Sequence, residues 1–110
     1  MTMESFELDR LLAAQRAGGD LYHEFLRVPD LNCGIYVLPA GRPDPQQPHD
    51  EDEVYYVISG SGRFMAGDED VPARPGSIIY VEAGAEHRFH SITEDLTILV
   101  FFAAGSTREE

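Results

Sequence analysis

From Tyr22 onward the chain is divided into short runs rich in β-branched and aromatic residues. They are Tyr22 to Val28, Gly34 to Leu38, Val54 to Ile58, Arg63 to Ala66, Ser77 to Val81, Arg88 to Ile92 and Leu96 to Phe102. Turn-forming clusters stand between them: Pro39-Ala40-Gly41, Ser59-Gly60-Ser61-Gly62, Gly67-Asp68, Arg74-Pro75-Gly76 and Ala83-Gly84. A strand of this length cannot bury a face alone, so many short strands at near-regular spacing restrict the chain to a barrel or a sandwich. The exception lies upstream. From Ser5 to Ala17, Phe6, Leu8, Leu11, Leu12 and Ala14 recur at helical spacing, with Ser5 as the expected N-cap and Gly18-Gly19 as the stop.

The run Leu96 to Phe102 shows no polar and apolar alternation. Such a run buries both faces, either between sheets or at a subunit contact, and a homodimer is expected from it.

The charge balance excludes several functions. The net charge is -12 and all 8 basic residues are arginines. Without lysine there is no Schiff base, no lysine-anchored pyridoxal phosphate and no lysine-dependent phosphate loop. An acidic surface repels phosphate backbones, so neither nucleic acid nor an anionic membrane is an expected partner. No stretch approaches the ~20 apolar residues of a membrane span, and a secretory leader pattern is not seen, so a cytoplasmic protein is expected. The lone cysteine, Cys33, rules out an internal disulfide and a multi-thiolate zinc site, and reads as a small buried apolar residue.

One constellation carries chemistry: Gln47, His49, Glu53 and His87. Gly41 is followed after five residues by Gln47, after one more by His49, after three by Glu53 and after six by Gly60. Gly76 is followed after five residues by Glu82, after one by Gly84 and after two by His87. Neutral imidazoles and a carboxylate suit zinc, iron, manganese or nickel, and an amide oxygen completes the set. On extended backbone Gln47 and His49 share a face, and the same parity makes Tyr55, Val57 and Phe89 candidate pocket walls. Around them, Asp50, Glu51 and Asp52 read as a solvated acidic turn, with Glu51 an alternative carboxylate. His90 reads as surface, His23 as structural, and Glu82 and Glu86 as exposed groups near the chamber mouth.

With these spacings the chain resembles the single-domain cupins, small jelly-roll β-barrels, from about Tyr36 to Phe102. The first family motif runs from Gly41 through Gln47, His49 and Glu53 to Gly60, with Gln47 where the family usually has a histidine. The second runs from Gly76 through Glu82, Gly84 and His87 to Ser91, with Glu82 replacing a proline and Ser91 an asparagine. The resemblance implies an all-β jelly-roll barrel, expected over 21–104; the periodicity above gives a helical segment over 1–20, and the polar residues 105–110 are expected to form a flexible tail. It also implies that glutamine is tolerated, since the cupin-type phosphomannose isomerases have one among their zinc ligands. The expected function is a metal-dependent enzyme acting on a small molecule, with oxygen-dependent cleavage by a dioxygenase as the first reading. The alternatives are an isomerase or lyase on the same metal, or a noncatalytic module that binds a sugar or other small metabolite.

Overall fold

The structure, a computed structural model, describes residues 2–103. One helix, α1 (Leu8–Gly18), precedes six strands: β1 (Tyr22–Val28), β2 (Leu31–Leu38), β3 (Glu53–Ala66), β4 (Glu69–Ala73), β5 (Ile78–Val81) and β6 (His87–Phe102). All pairings are antiparallel, in the order β1-β2-β6-β3-β4, and β5 pairs with β3. This is an all-β jelly-roll barrel with one short helix packed on β1 and β2.

The helix begins later than its periodicity suggests. Its N-cap is Glu7 rather than Ser5, with no side-chain cap, and Gly19 ends it at φ 86° by donating its N–H to the Gln15 carbonyl.

The barrel is organised by two long strands that the sequence divides into four short ones. The first half of β3 pairs Glu53 to Tyr56 with β5, and its second half pairs Gly62 to Ala66 with β4. Strand β6 runs beside both halves of β3 and also carries β2 on its Asn32-pairing end. The Ser59-to-Gly62 cluster is therefore not a turn between strands. It is a bend within β3, marked by register shifts from Val57 to Arg63. Gly60 makes the bend possible: its φ is 98°, and a Cβ there would lie 2.1 Å from the Asp95 carbonyl oxygen. Ser91 supplies the matching kink in β6 at φ 50°.

Strand β4 is not apparent in the sequence, because Glu69, Asp70 and Pro72 disfavour strands. It is tolerated as a sheet edge, where a missing N–H is harmless.

Inside the barrel Leu38, Tyr55, Val57, Phe64, Phe89, Leu96, Ile98 and Val100 are buried in one cluster. The Leu96-to-Phe102 run resolves into two faces. Leu96, Ile98 and Val100 point inward, whereas Thr97, Leu99 and Phe101 are half-buried on the outside. The tail expected over 105–110 lies outside the described residues.

Candidate metal centre

Three of the four expected ligands meet. Donor atoms of His49, Glu53 and His87 all lie within 4.8 Å of one another. Glu53 opens β3 and His87 opens β6, while His49 comes from the irregular segment between β2 and β3. Two contacts hold these origins together. The Gly84 N–H donates to the His49 carbonyl at 2.7 Å, and the Ala83 N–H donates to Asp52 Oδ1 at 2.8 Å. Asp52 is thus a clamp between the two motif segments rather than part of a solvated run. Glu51 lines the cavity beside the cluster.

Gln47 is a correction. It is exposed and lines a second cleft with Met65, Glu86 and Arg88, on the side of Gln46 and His87 away from the larger cavity. Its neighbour Gln46 supplies the amide, with Oε1 at 3.0 Å from His87 Nε2 and 2.9 Å from the Tyr55 hydroxyl oxygen. Strand alternation does not apply here because the segment is not a strand: Pro43, Pro45 and Pro48 lack the N–H groups a ladder needs. Instead the buried Asp44 carboxylate pins it. Asp44 accepts the Phe89 N–H at 2.9 Å, the Gln46 N–H at 3.2 Å, and short hydrogen bonds from Tyr36 and from the Gln46 side-chain NH2. That last bond orients the amide with its oxygen toward His87. Sequence reasoning missed both Asp44 and Gln46; the signal was an acidic residue enclosed by prolines beside two adjacent glutamines.

Val57 and Phe89 are corrected as well. Both have no exposed surface and lie in the core beneath the site, whereas Tyr55 lines the cavity. Inward parity does not distinguish a wall from the packing below it. His90 pairs on the outside with Asp70 at 2.9 Å.

The polar atoms of the cluster are mainly acceptors. His87 Nδ1–H donates to the Ala85 carbonyl at 2.7 Å, which turns Nε2 toward Glu53 Oε1 at 3.1 Å and Gln46 Oε1 at 3.0 Å. Tyr55 donates a short hydrogen bond to Glu53 Oε1 and lies 3.0 Å from His87 Nε2. Glu53 is 2% exposed, and its Oε2 has no hydrogen-bond partner among the described residues; His49 Nε2 stands 3.8 Å away. A buried carboxylate oxygen without a partner is costly, and lone pairs crowded together call for a cation. The protein provides one partial answer: desolvation disfavours a charged His87, but Glu53, the Ala85 carbonyl and Asp44 outweigh it, so protonation is easier than for an ordinary histidine. Burial, then Glu53, pushes the Tyr55 phenol far up, so it stays protonated. Two imidazoles, a carboxylate and an amide oxygen fit a divalent transition metal.

A cavity of about 530 Å³ reaches the cluster at His49, Gln46 and Tyr55 and is lined elsewhere by Leu21, Tyr22, Asn32, Tyr36, Val100 and Phe102 among others. Phe102 also packs edge-on against His49, with ring centroids 5.1 Å apart.

The cupin domain model matches residues 34–102, and the chain belongs to that family. It is 45% identical over 101 residues to an uncharacterized protein of Streptomyces coelicolor, covering 92% of this chain and 96% of that one. An uncharacterized double-stranded β-helix protein from Klebsiella pneumoniae has the same fold at 18% identity, with a TM-score of 0.77 over 94% of this chain and 92% of the other. The DMSP lyase DddQ of Ruegeria pomeroyi matches at 19% identity and a TM-score of 0.68, over 83% of this chain and 50% of the lyase.

Proposed function

We propose that the protein is a metal-dependent enzyme acting on a small organic molecule, with His49, Glu53 and His87 as metal ligands and Gln46, in place of Gln47, as the fourth. The observation that carries this reading is the buried Glu53 carboxylate, whose Oε2 has no hydrogen bond among the described residues and lies 3.8 Å from His49 Nε2, while its Oε1 lies 3.1 Å from His87 Nε2. Two histidines and one carboxylate are the donor set of nonhaem iron oxygenases, so oxygen-dependent cleavage is the first reaction assigned. A divalent ion bound there supplies a positive charge that polarises a substrate oxygen, or, as iron, a site for dioxygen. The chain's own residues do the rest. Phe102, Val100 and Leu21 exclude water from one side of the cavity, and Tyr55 holds a proton beside the cluster. That protonated phenol favours a lyase or isomerase as the second reading, since both need a proton placed near a polarised oxygen. The lyase activity of the Ruegeria fold relative agrees with this.

Protein loaded separately with Fe(II), Zn(II), Mn(II) and Ni(II) should be screened against small hydroxy- and keto-compounds for oxygen uptake and for product. Turnover with one metal, abolished by His87→Ala, is the expected result. Ligand binding that survives metal removal with no turnover would identify a noncatalytic binding module instead.

We also assign a homodimer, formed through the outer sheet face. There Val54, Tyr56, Leu99 and Phe101 adjoin Ile78, 72% exposed, and Tyr80, 62% exposed. On a chain of net charge -12, an uncharged apolar face is where two copies meet with least repulsion. No helix among the described residues is long and apolar enough to cross a membrane. The single buried thiol of Cys33 suits the cytoplasm.

A further inference from the structure

Away from the metal ligands, two more buried polar atoms lack partners among the described residues: Tyr22 Oη and Asn32 Oδ1. Both residues line the 530 Å³ cavity, and Asn32 is only 8% exposed. Orphaned groups of this kind are rare unless something else satisfies them.

Their placement follows from the sheet register. Asn32 pairs with Phe102, and Phe102 pairs with Glu53, so the three form one row across β2, β6 and β3. Two strand spacings separate Asn32 from Glu53, roughly 10 Å. Between them lie Phe102 and, in the adjacent row, Val100, an apolar floor. Tyr22 reaches the same wall from β1 because residue 34 is glycine. A Cβ at Gly34 would lie 2.2 Å from both Cζ and Oη of Tyr22, so the ring rests where a side chain would otherwise be.

We propose that Tyr22 and Asn32 form a recognition subsite for a hydroxyl group, and that the molecule entering this cavity is neutral, hydroxylated and largely apolar or aromatic. A hydroxyl satisfies both orphans at once. It donates to Asn32 Oδ1 and accepts from the Tyr22 phenol, which burial keeps protonated. The body of the ligand lies over Val100 and Phe102, and its far end reaches His49, the member of the cluster that lines the cavity. Charge selects against anions. Glu24 and Glu51 line the cavity, and Arg27, its one permanent cation among the described residues, is held by Glu24 through two hydrogen bonds of 2.9 Å. The ligand class extends the catalytic reading above, while the subsite itself is read from the cavity wall and holds with or without metal.

The test compares 2-naphthol, naphthalene and 2-naphthoate by titration against the full chain, stripped of metal with EDTA and again after zinc loading. Wild type is expected to bind 2-naphthol about tenfold or more tighter than naphthalene, and more tightly than 2-naphthoate. Tyr22→Phe and Asn32→Leu are each expected to remove most of that preference while leaving naphthalene binding in place. Equal affinity for naphthol and naphthalene, no binding of either, or a preference retained in both variants overturns the subsite. Tighter binding of naphthoate by the metal-free chain overturns the neutral ligand class. Failure of the metal reading shows separately, as absence of zinc uptake with the naphthol preference intact.

Discussion

His87 Nε2 and Glu53 Oε1 lie 3.1 Å apart with both side chains buried, at the meeting point of the first residues of β3 and β6. The two strands that organise the barrel therefore also bring together its principal polar pair. In the antiparallel β3–β6 ladder Glu53 pairs with Phe102 and His87 with Ala66, so the two residues stand at opposite ends of the pairing and meet because both strands bend, at Gly60 and at Ser91, around the barrel.

The amide that faces this pair belongs to Gln46. Gln46→Ala should weaken divalent metal binding about tenfold by removing one donor, while Gln47→Ala should leave it unchanged. Isothermal titration with zinc or manganese measures both; a larger loss in Gln47→Ala would reverse the assignment.

Asp70 gives a pH dependence separate from the site. Slight desolvation opposes ionisation, but hydrogen bonds from Arg63 and His90 prevail and hold its carboxyl below the usual range. A depressed folded pKa contributes stability above the unfolded value of about 3.9, and that contribution is lost as pH falls through the folded value. Wild type should therefore exceed Asp70→Asn in stability at neutral pH, with the gap closing under acid. A gap that stays constant down to the lowest pH in denaturant titrations contradicts the assignment.

Ser91 occupies the left-handed region at φ 50°, which glycine and asparagine tolerate better. Ser91→Gly or Ser91→Asn should stabilise the fold by roughly 0.5–1 kcal/mol, read from the urea midpoint. At Gly60 the direction is opposite. An added Cβ would sit 2.1 Å from the Asp95 carbonyl oxygen, so Gly60→Ala should destabilise by about 3 kcal/mol or more, or prevent folding.

The outer apolar face tests the dimer. Tyr80→Asp should convert the protein to a monomer by light scattering without changing its circular dichroism. A monomeric wild type, or a variant that remains dimeric, removes this face as the interface.

The ligand spacing is legible in the sequence because glycines and short strands fix where β3 and β6 begin, which is why His49, Glu53 and His87 stand out from spacing alone. Gln46 is not legible, since choosing it over Gln47 depends on how three prolines and Asp44 route a segment with no periodicity. The lengths of β3 and β6 are hidden because Gly60 bends a strand with the same residue type that elsewhere ends one. Tyr22 and Asn32 depend on the pairing of β1, β2 and β6, a nonlocal register that no local pattern encodes. Val57 and Phe89 show the limit of parity: alternation gives the direction of a side chain but not its depth.

The central claim is that three side chains bind one divalent ion, and metal stoichiometry measures it directly. Elemental analysis after loading and desalting should give about one ion per chain in wild type, with His49→Ala and His87→Ala folded yet depleted. Wild type that takes up no metal, or variants that retain it in full, would contradict the claim.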